Sequence, residues 1–252
     1  MSFDVAAEAY DRFMGRFSVR LAPGFADLAG VHAGERALDV GCGPGALTGV
    51  LVERLGADRV AAVDPSPPFV EAARARHPGV DVRASSAEAL PFDDDAFDVV
   101  LAQLVVHFMA DPVGGLAEMR RVARPGGVVA ACVWDHAGDG GPLAAFWAAA
   151  REGDPGVADE SHLPGARAGH LTELLGAAGL RDVLETSLIA DLDQPTFEAW
   201  WAPFEGGVGP AGAYVAGLDP DAKVRLRESC RRRLGDGPFS IPARAWAARG
   251  TA

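Results

Sequence analysis

The chain is poor in cysteine, poor in aromatic residues and without a basic surplus. Its three cysteines, Cys42, Cys132 and Cys230, stand far apart and form no C-x-x-C pair. A cysteine zinc site and a disulfide framework are thereby excluded, and a reducing, cytoplasmic setting is expected. No apolar run reaches the roughly 18 residues that a bilayer span requires. The first residues also lack the basic-then-apolar pattern of a secretory leader, so a soluble chain with no membrane partner is expected. A net charge of -12 argues against nucleic acid and anionic lipid, since either needs many cations to offset phosphate repulsion. The histidines, including His136, His162 and His170, show no metal-ligand spacing, and no acidic pair suggests a magnesium site. There is no internal repeat and no low-complexity segment. A small neutral or cationic substrate fits these exclusions best.

What is present is a hydrophobic share of 49% over 252 residues, enough to bury a full core. From residue 36 the pattern alternates apolar runs of strand length with helical periods. Strands are expected at 36–40, 60–64, 80–84, 97–106 and 128–134, with helices near 46–55, 67–76 and 112–123 between them. Such alternation means an α/β chain: a mostly parallel sheet with helices on both faces. Ser66-Pro67 and Asp111-Pro112 are helix starts, and Pro125-Gly126-Gly127 is a stop. Further on, helices are expected at 143–150 and 171–178, a sixth strand at 183–191 and a last strand at 240–249. Between those last two strands lie helices near 196–204 and 219–234, which read as a cap inserted at the ligand edge. Residues 3–14 read as an amphipathic helix ended by Gly15, followed by a second helix at 18–29. The resulting division is lid helices at 1–30, a core at 31–192 and 236–252, and a helical cap at 193–235.

The first strand runs into Leu38-Asp39-Val40-Gly41-Cys42-Gly43-Pro44-Gly45. Glycines at alternate positions let the backbone turn sharply and leave it bare towards a ligand, in front of a helix start with unpaired N–H groups. A dinucleotide fingerprint places its third glycine one residue later. An acid ahead of the first glycine, Asp39, repels a pyrophosphate and suits a ligand with ammonium or sulfonium charge. Asp64 closes the second strand, 25 residues after Asp39, where a carboxylate can accept from two adjacent ribose hydroxyls. These features point to S-adenosylmethionine rather than NAD.

The chain resembles the class I S-adenosylmethionine-dependent methyltransferases, in particular the small-molecule group that includes the ubiquinone and menaquinone methyltransferases. The resemblance rests on the glycine motif, on Val63-Asp64-Pro65-Ser66, on Ser86-Ala87-Glu88-Ala89-Leu90-Pro91-Phe92, and on Arg120 to Gly127. It implies a Rossmann-like seven-stranded sheet whose last strand is antiparallel. It also implies cofactor contacts at Asp39, Gly41, Cys42 and Gly43 for the methionine part, and at Asp64, Pro65 and Ser66 for the ribose. Ser86, Ala87 and Glu88 fall on the adenine side, Gln103 and Leu104 at the cofactor ammonium, and Tyr10 in a lid. Arg16 is a candidate partner for the cofactor carboxylate. S-adenosylhomocysteine is the implied product.

His107, at the ligand edge, is the sharpest catalytic candidate; it is either a base or a group packed beside the cofactor. Trp147, Trp200, Trp201 and Phe204 are candidates for an aromatic substrate pocket, with a cap core or a homodimer contact as the alternatives. Methyl transfer to a small molecule is the leading function, with a non-methylating cyclisation or rearrangement on the same cofactor as its rival.

Overall fold

The computed structural model describes residues 7–252. Five parallel strands carry the first half of the chain: β1 (Ala37–Val40), β2 (Val60–Asp64), β3 (Asp81–Ala84), β4 (Phe97–Gln103) and β5 (Ala123–Trp134). They lie in the order β3-β2-β1-β4-β5, so chain direction reverses its march at β1 and β4. Two later strands, β6 (Arg181–Ile189) and β9 (Arg244–Thr251), complete a seven-stranded sheet with β9 between β5 and β6. β9 runs antiparallel to both neighbours. This is the Rossmann-like architecture expected from the sequence.

Alternation along the strands divides the core between the two faces. Val99, Leu101, Ala130 and Cys132 pack on one side with helices α2 (Arg16–Ala29) and α3 (Ala46–Leu55). Leu38, Val40, Val100 and Ala131 pack on the other with α5 (Pro112–Val122) and α7 (His170–Ala177). α4 (Pro67–Arg76) and α5 begin at the expected prolines, and Asp111 accepts the Gly114 N–H at 2.9 Å as an N-cap.

Several boundaries differ from expectation for identifiable reasons. Phe3 and Ala6, placed by periodicity in the first helix, lie outside the described residues. Gly15 does not end that helix. The chain passes from α1 (Ala7–Tyr10) through a π-helical turn at Asp11–Gly15 straight into α2, with Gly15 in right-handed helical geometry. Gly15 is buried, and a Cβ there would fit tightly, 3.1 Å from Asp11 Oδ1 and 3.3 Å from the Tyr10 carbonyl oxygen. β4 stops at Gln103 rather than at 106, because Leu104 takes a left-handed conformation (φ +62°). The single last strand is two: β8 (Phe239–Ile241) and β9, separated at Pro242, which cannot donate to a ladder. β8 pairs instead with β7 (Leu192–Gln194) in a separate two-stranded ribbon.

Between the strands of that ribbon lie α8 (Phe197–Trp201), a 3₁₀ turn at Ala202–Gly206, α9 (Gly209–Gly217) and α10 (Pro220–Leu234). The sequence reading missed α9. Its Gly-Pro-Ala-Gly composition carries no helical period. α6 (Ala144–Gly153), which follows β5, packs on α10 and so joins the cap. No helix among the described residues is long and apolar enough to cross a membrane.

Candidate active site

The C-terminal ends of β1, β2, β4 and β5 open onto a cavity of about 380 Å³. Its position, across the point where the strand order reverses, is the usual place for a ligand in an open α/β sheet. Gly41, Gly43, Asp64, Pro65 and Ser66 form one wall, and Gln103, Leu104, Val105 and His107 the floor. Trp134 and His136 extend it past β5, with Glu160 beside them. Tyr10, Phe13 and Met14 from the N-terminal helix and Val208 to Ala211 from the cap roof it.

The glycine turn is held by backbone bonds. Gly41 and Cys42 donate their N–H groups to the Val63 carbonyl at 2.8 and 2.9 Å. Gly41 (φ +69°) needs its missing side chain, since a Cβ would meet Val105 Cγ2 at 2.4 Å. Gly43 (φ +54°) differs, because a Cβ there would meet no protein atom within 4 Å and would point into open space. Asp64 ties the two turns together. Its Oδ2 accepts the Gly43 N–H and its Oδ1 the Ser66 N–H, both at 2.8 Å, and burial raises its pKa.

Asp39 lies beneath the turn, 1% exposed, and does not line the cavity. Thr48 donates its hydroxyl to Oδ2 at 2.6 Å, while buried Oδ1 has no hydrogen-bond partner. Burial pushes this carboxyl up to about 7. Tyr10 shares a 3.0 Å hydrogen bond with Ser18, and its ring sits 5.4 Å from that of Phe69. Gln103 donates through Nε2 to the Ser18 carbonyl at 3.1 Å, linking the end of β4 to α2.

A second polar group occupies the far end, beyond β4. His107, on a 3₁₀ turn at Val106–Phe108, packs at a tilt against Phe108 with ring centroids 3.9 Å apart. Its buried Nδ1 has no partner, and burial, then the neighbouring His136, hold its pKa well below the ordinary histidine value. The His136 ring lies 6.0 Å from it, also with a buried, unpartnered nitrogen, Nε2. Glu160 Oε1 stands 3.9 Å from that nitrogen, and Glu160 Oε2 accepts the Trp147 indole N–H at 2.8 Å.

Residues 38–131, from β1 into β5, match the profile of the methyltransferase domain. That stretch, little more than a third of the chain, is similar to a methyltransferase domain. It is 42% identical over 127 residues to an uncharacterised methyltransferase of Mycobacterium tuberculosis, covering 50% of this chain and 49% of that protein. Over 98 residues it is 39% identical to the malonyl-[acyl-carrier protein] O-methyltransferase of Serratia marcescens, covering 39% of this chain and 38% of that one. The matches thus span half or less of these curated relatives. In three dimensions it is similar to a chain of the complex between the Haloferax volcanii Trm112 methyltransferase activator and a methyltransferase. The TM-score is 0.63 at 22% identity, over 98% of this chain and 94% of that one. The fold is that of the class I methyltransferases.

The structure brings together Tyr10, Gly41, Gly43, Asp64, Pro65, Ser66, Gln103, Leu104 and His107 around one cavity. It sets others apart. Cys42 is buried behind the turn, with burial raising its thiol pKa. Arg16 points to the cap, donating to Gln194 Oε1 at 3.3 Å. Ser86, Ala87 and Glu88 line no part of the cavity, and Glu88 accepts the Ala110 N–H at 2.9 Å. The aromatic candidates are corrected most. Phe204 stacks on Phe146 at 4.6 Å and packs at a tilt against Trp200 at 4.8 Å, so Trp147, Trp200, Trp201 and Phe204 build the core of the cap, outside the cavity wall. Of the residues at the far end, Glu160 carried no motif, and His136 was read only for metal spacing. Its place directly after the fifth strand was the available signal.

Proposed function

We propose that the protein binds S-adenosylmethionine in this cavity and transfers its methyl group to a small-molecule acceptor, releasing S-adenosylhomocysteine. The observation that carries the reading is the unpartnered Asp39 Oδ1 beneath a bare glycine turn. A buried carboxylate without a partner is costly unless a ligand of opposite charge compensates it. Asp64 in the cavity wall, Asp39 buried beneath it and the lack of any lysine or arginine among the described wall residues oppose a pyrophosphate.

The group supplies an activated methyl on a sulfonium, so the protein's contribution is binding, orientation and exclusion of water. Asp64 keeps free lone pairs after its two backbone bonds, enough for ribose hydroxyls. Ser85 donates its N–H to the Asp64 carbonyl at 3.1 Å, which keeps Ser86 and Ala87 next to that turn, where an adenine would extend. Asp39 favours the ammonium electrostatically from behind, and the Gln103 and Leu104 carbonyls are its candidate direct partners. Tyr10 and Phe13 close over the ligand from above.

The test is calorimetric titration with S-adenosylmethionine, S-adenosylhomocysteine and NADH, for wild type and Asp64→Ala. Micromolar binding of the first two, lost in the variant, supports the reading, and binding of NADH alone refutes it. Transfer of a labelled methyl into product separates methylation from a rearrangement that leaves the methyl on the cofactor.

A further inference from the structure

Resting on the methyl-transfer reading, we propose that Glu160 is the catalytic base. It acts with His136 on an apolar acceptor that carries a weakly acidic hydroxyl and no carboxylate or phosphate.

Sheet order fixes which end of the cavity receives the acceptor. Asp64 ends β2, on one side of β1, whereas His107, His136 and Glu160 lie beyond β4 and β5 on the other. A cofactor seated on the glycine turn and Asp64 therefore leaves the β5 end for the second reactant. The wall there is apolar apart from the three polar side chains, with Phe108, Trp134 and Leu143 around them. Among the described residues no lysine or arginine lines it, so an acceptor carboxylate or phosphate would lose its hydration without compensation.

The gap between His136 and Glu160 specifies the group that fits. At 3.9 Å, Nε2 and Oε1 are too far apart to hydrogen-bond each other. One hydroxyl oxygen set at about 2.8 Å from each bridges them, donating to the carboxylate and accepting from the imidazole N–H. Trp147 fixes the other carboxylate oxygen, so Oε1 is the one left for the substrate. Asp135, which precedes His136 in the chain, accepts from Arg244 Nε at 2.8 Å and from the Gly138 N–H at 2.9 Å.

In the transfer step the acceptor O–H and the S–CH₃ bonds break and an O–CH₃ bond forms. The sulfonium becomes a neutral thioether, and the proton ends on Glu160 Oε1. The charged groups near this pair are Asp135 with Arg244, Asp159 with Arg151, and Asp139 on the same arginine, and the titratable His107 ring lies beside His136. Burial, with Asp159 adding to it, pushes Glu160 up to about 7, whereas burial takes His136 down to about 4. Near neutral pH the carboxylate is thus the stronger base of the two, and the imidazole stays neutral.

The test uses 2-naphthol, 2-methoxynaphthalene and 2-naphthoate as probes, titrated into protein saturated with S-adenosylhomocysteine. Wild type is expected to bind 2-naphthol at least tenfold more tightly than the other two. Glu160→Gln, which is isosteric, should reduce that preference to below threefold while leaving S-adenosylhomocysteine affinity within twofold. With S-adenosylmethionine, 2-naphthol methylation should rise with pH to a plateau, with an apparent pKa near 7. In Glu160→Gln it should fall at least about 100-fold and lose that rise. Equal binding of the three probes, tightest binding of 2-naphthoate, or an unchanged pH profile in the variant overturns the proposal. If those results come with intact S-adenosylhomocysteine binding, only this proposal fails. If wild type binds no S-adenosylhomocysteine, the cofactor reading fails and takes this one with it.

Discussion

Phe13 meets Phe204 edge-on, with ring centroids 5.0 Å apart, so the N-terminal helix and the cap touch directly above the cavity. Neither element alone covers the site. The contact lies between a segment that precedes β1 and one inserted before β8, and the ligand cavity runs beneath it.

Removing one ring should loosen that roof. An aromatic pair contributes about 0.5–1.5 kcal/mol beyond its buried area. Phe13→Ala is therefore expected to speed S-adenosylhomocysteine release by roughly two- to tenfold, measurable by stopped-flow fluorescence. An unchanged release rate would show that the two elements do not hold the ligand.

The two glycines of the turn should respond differently to the same substitution. Both have positive φ, which costs a side chain about 1–2 kcal/mol. Gly41→Ala adds a clash with Val105 and should unfold at distinctly lower denaturant than wild type. Gly43→Ala meets no protein atom, so it should retain most stability and lose cofactor binding instead. Denaturant midpoints set beside calorimetric titrations will separate the two.

Asp39 gives the unliganded protein a stability that depends on pH. Its carboxyl titrates at 3.8 unfolded and at about 7 folded. Between those values the folded state holds a proton that the unfolded state has released. Stability therefore falls as pH rises from about 4 to about 7 and stays low above, by at most about 4 kcal/mol. Glu160, moving from 4.5 to about 7, acts in the same direction. Asp39→Asn should unfold at higher denaturant than wild type at pH 8, with the difference vanishing near pH 4, and should bind S-adenosylmethionine about tenfold more weakly. Wild-type midpoints that stay flat from pH 4 to 8 would refute the assignment.

Asp64 binds two backbone N–H groups as well as the proposed ribose. Asp64→Asn keeps an acceptor but loses the charge, and hydrogen bonds to a charged group are worth about 1.5–3 kcal/mol each. A drop of at least tenfold in S-adenosylhomocysteine affinity is expected, with a larger drop for Asp64→Ala. Equal affinity in both variants and wild type would remove Asp64 from the site.

The sequence made the sheet legible because its strands are short apolar runs bounded by proline and glycine, each with a local signal. It exposed the glycine-turn side of the cavity for a similar reason: Gly41, Gly43 and Asp64 lie at strand ends, where position alone brings them together. The far side was not legible. Glu160 sits in an irregular stretch after α6, and only the Trp147 indole and the course of the chain bring it to His136. Likewise Trp200, Trp201 and Phe204 are as apolar as any pocket wall, and burial against Phe146 rather than composition decides that they form a core. Gly15 misled because a helical glycine in a tight fit looks the same in sequence as a terminator.

The placement of β9 ties the assembly of the sheet to that of the cap. During synthesis β1 to β5 can pair as each emerges, but β6 has no neighbour until β9 follows it out of the ribosome. Only Pro242 and Ala243 separate β9 from β8, the strand that closes the ribbon at the neck of the cap. The seat of β9 between β5 and β6 therefore fixes where β8, and with it the neck of the cap, can lie. In chain order the glycine turn, Asp64 and the N-terminal half of the roof come first, and the cap half follows only with the strands that complete the sheet.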